Sequence, residues 1–128
     1  MKVALQQLAE GDKFDIYEAI VDGKSLFQDF YRKLDRKAKD RLAARIESLA
    51  DNGPPKNDRK FPHEGDGIYA IKDITTAVRV YCFFHEGRVI IITHGFLKKY
   101  QKSRNRGKNN LYKALKIRDE FLKGGAIT

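Results

Sequence analysis

Gly67-Ile-Tyr-Ala-Ile-Lys-Asp-Ile-Thr-Thr-Ala-Val-Arg-Val-Tyr-Cys-Phe-Phe-His-Glu-Gly-Arg-Val-Ile-Ile-Ile-Thr-His-Gly-Phe-Leu97 is the stretch that decides how this chain folds. It holds three apolar runs, near residues 68–74, 77–84 and 89–96, rich in β-branched and aromatic side chains. Runs of that composition read as strands, and connections this short join only antiparallel neighbours. Directly after them comes Lys98-Lys-Tyr-Gln-Lys-Ser-Arg-Asn-Arg-Gly-Lys108, with six cations in eleven residues. From Gly87 to Arg118 there are ten Lys and Arg residues and no Asp or Glu. The chain has 26 basic and 17 acidic side chains, so outside that segment 16 face 17 and the net charge of +9 is local. A positive region that directly follows a sheet is the electrostatic footprint of a polyanion binder.

Working outward, the upstream half carries helical signals. Ser25 with Gln28 three residues later is a capping box, opening a helix with Phe27, Phe30 and Leu34 at helical spacing. Asp35 caps a second helix in which Ala38, Leu42, Ile46 and Leu49 make one apolar stripe. Gly53-Pro54-Pro55 stops it. Phe14 to Val21 reads as a strand ending at the turn Asp22-Gly23, and residues 3–9 read as a helical turn or two closed by Gly11. A short strand is possible at Lys60-Phe-Pro62, inside the loop over residues 53–66. Downstream, Leu111, Ala114, Leu115 and Leu122 suggest a third helix ending at Gly124-Gly125. The expectation is one α+β domain over residues 1–128: an N-terminal helical hairpin packed on a small antiparallel sheet, with a C-terminal helix.

Composition narrows the class. At 128 residues, 41% hydrophobic and 34% charged, the chain describes a globular protein able to bury its own core. A single cysteine excludes an intrachain disulfide and fits a reducing, cytoplasmic setting. The N-terminus lacks the apolar run of a signal peptide, and no run approaches a membrane span. His63, His85 and His94 lack metal-ligand spacing, so neither a metal nor another cofactor is expected.

Register brings three polar residues together. If Glu86-Gly87 is a two-residue hairpin loop, Arg79 falls opposite His94. A loop centred on Thr75-Thr76 sets Lys72 opposite Arg79. Lys72, Arg79 and His94 then form one row across three strands, with Tyr81 further along. An odd-length loop breaks that row, because a one-residue slip flips every side chain. Arg79 sits among Val78, Val80 and Tyr81, where a charge is costly unless paired or used. Against the functional reading, Lys72 could be a solvated cation, His94 a hydrogen-bonded core histidine, and the basic run a solvated face. The tyrosine inside that run and the missing acids favour nucleic acid, with cations on phosphates and a ring on bases.

Three segments carry a family resemblance: Gly67-Ile-Tyr-Ala-Ile-Lys72, Val78-Arg-Val-Tyr-Cys-Phe-Phe84 and Ile92-Thr-His-Gly-Phe-Leu-Lys-Lys-Tyr-Gln-Lys-Ser103. With the helix bearing Ala114 and Arg118, they resemble the RelE/HigB superfamily of toxin–antitoxin toxins, nearest its phage-derived HigB-like branch. The likeness spans about residues 25–123. Ala70 stands where several RelE toxins carry a second strand lysine, and Ser103-Arg104 replaces their usual Thr-Pro. The resemblance implies a RelE-like fold and a type II toxin acting as a metal-free mRNA endoribonuclease in the ribosomal A site. It further implies neutralisation by a cognate antitoxin, of HigA-like helix-turn-helix type. Arg79, Lys72, His94 and Lys98 are the implied catalytic set; Lys99, Tyr100, Gln101, Lys102, Arg104 and Arg106 are the implied RNA contacts. ParE toxins share the fold yet inhibit gyrase, so that reading stays open, as does a non-catalytic nucleic-acid binder.

Overall fold

The computed structural model describes residues 1–57, 59–98, 104–124 and 126–127. Among them, eight strands form one sheet: β1 (Val3–Glu10), β2 (Asp15–Val21), β3 (Lys24–Ser25), β4 (His63–Gly65), β5 (Ile68–Asp73), β6 (Val78–His85), β7 (Val89–Leu97) and β8 (Ala126–Ile127). The helices are α1 (Leu26–Arg32), α2 (Arg36–Asn52) and α3 (Arg104–Gly124). Across the sheet the order is β4-β5-β6-β7-β2-β1-β8, and β3 also pairs with β2.

This corrects the expected architecture twice. The sheet is mixed, because β2 runs parallel to β7 and β1 parallel to β8. The chain also begins with strands, so the helical hairpin is internal and not N-terminal. Residues 3–9 belong to β1, which pairs Val3 with Val21 through Gln7 with Tyr17 before a register shift between Gln7 and Ala9. Val3 and Leu5 join the core under α3, whereas Leu8 and Ala9 pack with the core under α2. A bulge that sends one strand to both faces erases the period of two. That lost period is why the segment reads as a helical turn.

Elsewhere local signals and structure agree. Ser25 Oγ accepts from Gln28 N at 3.0 Å and Asp35 Oδ1 from Ala38 N at 2.8 Å, capping α1 and α2. The Gln28 amide donates at 2.9 Å to the buried Glu18, in place of the reciprocal arm of a capping box. Ala38, Leu42, Ile46 and Leu49 are all buried, and Gly53 ends α2 at φ 78°. Asp22 (φ 50°) and Gly23 (φ 81°) make the turn into β3. Strand β4 begins beyond Lys60-Phe-Pro62, although Lys60 and Pro62 carbonyls already accept from Lys72 and Ala70 of β5. Helix α3 starts before Leu111; its buried side is Ala114, Ile117 and Phe121, while Leu122 is exposed.

The sheet is therefore covered on both faces. Helices α1 and α2 pack with Ile71, Val78, Val80, Cys82, Ile90 and Ile92. Helix α3 packs with Ile68, Ala70, Tyr81, Phe83 and Ile91. Burying each large apolar side chain contributes roughly 2 kcal/mol.

Candidate active site on the sheet

Strands β5 and β6 join through a four-residue connection, Ile74 to Ala77, and Lys72 lies directly opposite Arg79 as the register reading expects. The expected pairing of Arg79 with His94 is not observed. Arg79 pairs with Phe96, and His94 pairs with Tyr81. The β6–β7 loop has three residues, Glu86 to Arg88, closing the pair His85–Val89 with Gly87 at φ 67°. That odd length alone would send His94 to the other face. A second irregularity between Tyr81 and Cys82, where Thr93 has no partner of its own, adds one more residue on β7. The two slips cancel in parity. Lys72, Arg79, Tyr81, His94 and Phe96 thus share the α3 face, with His94 one row further along.

At this end of the sheet charge is concentrated. Arg79 is buried to 9% exposure, and its guanidinium donates to the Val78 carbonyl at 3.2 Å. Among the described residues no carboxylate lies within ion-pair distance of it. Burial pulls its pKa down, opposed by the more distant Glu64. The Lys72 ammonium is also held below its ordinary pKa, first by burial and then by repulsion from Arg79 and Lys98, with Glu64 opposing. Lys98 is exposed, and its backbone N–H donates to Ala77 O at 2.8 Å, anchoring the start of the basic run to the β5–β6 turn. Burial and Glu64 push the Tyr81 phenol up to about 12, so it stays protonated in neutral solution.

His94 is set differently. It is 3% exposed, with Nδ1 3.1 Å from Thr93 Oγ1 and Nε2 3.0 Å from Asn110 Oδ1 on α3. Thr93 Oγ1 is also 3.2 Å from Tyr81 O, so its single proton serves either that carbonyl or the imidazole. Burial lowers the imidazole pKa to about 4, against the Asn110 hydrogen bond, so His94 is neutral in neutral solution. Its ring meets Tyr81 edge-on at 5.7 Å, and Tyr81 meets Phe96 likewise at 5.0 Å. His94 therefore links β6, β7 and α3 one row along from the Lys72–Arg79 pair.

Of the expected RNA contacts, Lys99, Tyr100, Gln101 and Lys102 lie outside the described residues. Arg104 and Arg106 fall in the first turn of α3. Sequence reading missed Asn110, although an asparagine inside a helix is a poor helix former that often has another task. It also missed a clamp behind the site. Buried Asp73, next to Lys72, accepts from Arg41 at 2.8 and 2.9 Å, from Arg45 at 2.9 Å and from Thr76 at 2.6 Å. Arg41 and Arg45 sit one helical turn apart beside the apolar stripe of α2, which was the available signal.

A family model described as "Phage derived protein Gp49-like (DUF891)" matches residues 29–116, more than half of the chain. No curated protein matches it.

Proposed function

Because the chain belongs to the phage-derived Gp49-like family, a RelE/HigB-like toxin-type family, we propose that it is the toxin of a type II toxin–antitoxin pair and cuts mRNA. The observation that carries this reading is the Lys72–Arg79 pair: a buried guanidinium without a carboxylate partner among the described residues, beside an ammonium of lowered pKa. Such a pair suits a phosphodiester. The ribose 2′-oxygen attacks the adjacent phosphorus, the bond to the 5′-oxygen breaks, and a 2′,3′-cyclic phosphate forms. Arg79 would hold two non-bridging oxygens with its planar fork, where negative charge grows. Lys72, shifted toward its neutral form, would take the 2′-hydroxyl proton, and Lys98 would return one to the 5′-oxygen. The burial of His94 and its two hydrogen bonds support a positioning role, holding Tyr81 and α3 against the pair. The basic run would carry the RNA strand on the ribosome, and an antitoxin would silence the protein by covering the same patch.

Induced expression followed by mapping of mRNA ends tests the proposal. Cuts should leave a 5′-hydroxyl and a cyclic or 3′-phosphate, persist with a chelator, and vanish when the scissile ribose is 2′-deoxy. Ends bearing a 5′-phosphate, or arrested replication with intact mRNA, would reject it in favour of another chemistry or of gyrase.

A further inference from the structure

A cleft opens at the same end of the sheet but on its opposite, α1–α2 face. It has a volume of about 460 Å³ and lies between the α1–α2 joint and the β5–β6 turn. Leu34, Ala38 and Leu97 give it an apolar lining, while Lys33, Lys37 and Thr75 are its exposed polar members. Asp35 also lines it, but its carboxylate is engaged in capping Ala38 N at 2.8 Å. Thr75 Oγ1 accepts from Arg41 at 3.3 Å, which leaves its own proton to donate elsewhere.

The position of this cleft matters. Ala77 and Leu97, both in its lining, lie one residue from Val78 and Lys98, and Lys98 N bonds Ala77 O across them. The Lys72–Arg79 pair is on the α3 face, so it and the cleft lie on opposite faces of the sheet and meet round the β5–β6 turn. A chain leaving the Lys72–Arg79 patch reaches the cleft by rounding the β5–β6 turn, a path longer than the span of the nucleotides that flank the patch directly. Apolar walls with a few polar donors suit a planar base, and lysines at the rim suit its phosphates. The volume lies in the range of small-ligand sites, about 300–1,000 Å³.

We propose that this cleft is a subsite for a nucleotide several positions beyond the scissile phosphate, with Lys33 and Lys37 on the RNA backbone and Thr75 on the base or sugar. The inference rests on the nuclease reading for the direction of the strand, but binding can be measured without cleavage. The probes are a single-stranded 2′-O-methyl dodecanucleotide, which has no free 2′-hydroxyl to attack, and a 2′-O-methyl trinucleotide. Their affinities would be measured by anisotropy over a salt series for the wild type, the double variant Lys33→Ala/Lys37→Ala, and Lys33→Arg/Lys37→Arg.

The alanine pair should weaken the dodecanucleotide about tenfold at low salt and flatten its log–log salt slope by about 1.4, two contacts at about 0.7 each. The trinucleotide, too short to fill both sites, should hardly notice, and the arginine pair should retain affinity. Unchanged dodecanucleotide binding, or equal losses for both probes, would overturn the subsite. If the wild type cuts no RNA yet the long probe still depends on Lys33 and Lys37, the nuclease reading fails and the subsite stands.

Discussion

Arg79 and His94 sit on one sheet face, and opposite substitutions should separate their duties. Arg79 is an always-charged group with no acid beside it among the described residues, so removing it abandons no buried carboxylate. Arg79→Lys keeps the charge and loses the fork, and should slow single-turnover cleavage roughly 100- to 1000-fold. Its melting temperature should stay within a few degrees of wild type. A fall in stability as large as the fall in rate would show that the guanidinium is structural. His94 should report through pH. Its folded pKa of about 4 lies below the 6.5 of an exposed histidine, so between those values the unfolded chain binds more protons. His94's contribution is complete above pH 6.5 and is lost as pH falls toward 4, roughly 3 kcal/mol in total. Denaturant titrations across that window should show the slope, and His94→Asn should remove most of it. An unchanged slope in that variant would place the acid sensitivity elsewhere.

At the scale of the element, the Asp73 clamp ties α2 to the strand that carries Lys72. Asp73→Asn keeps the shape and loses charge-assisted bonds, and should cost about 2–3 kcal/mol in urea unfolding. Since Arg41 and Arg45 draw the Asp73 carboxyl well below the usual range, the wild type should lose this support only as pH drops below about 4. A variant as stable as wild type would mean the arginines gain as much from water. The same scale shows what could be read in advance. Caps at Ser25 and Asp35, the α2 stripe and the β5–β6 register were legible because each is set by residues a few positions apart. The β6–β7 register was not, since nothing local marks Thr93 as an extra residue. The Lys72–Arg79–His94 face survived only because two unseen slips had the same size. β1 was lost for the converse reason: its bulge hides the alternation that identifies a strand.

Over the whole molecule, one segment serves both charge and core. Residues 87–118 carry the net positive charge and also supply Ile90, Ile91, Ile92, Ala114 and Ile117 to the two cores. RNA affinity should therefore fall steeply with salt, by about 0.7 in log–log slope for each phosphate held. Neutralising Lys98, Lys99 and Lys102 together should flatten that slope by about two phosphate equivalents. A slope indifferent to them would reduce the run to a solvated surface. No described helix is long and apolar enough to cross a membrane.

The parallel seam between β2 and β7 has a temporal side. It joins Asp15 to Val89, more than half the chain away, so the β1–β2 hairpin leaves the ribosome long before the strand it docks against. Loop closure over that distance is slow, and the waiting hairpin shows an unpaired edge. Lys72 and Arg79, on β5 and β6, are made before β7 as well. A nascent chain therefore holds the hairpin that pairs Lys72 with Arg79 undocked until β7 emerges. Synthesis that halts before residue 89 yields a ribbon with an open edge, a species built for aggregation and for proteolysis.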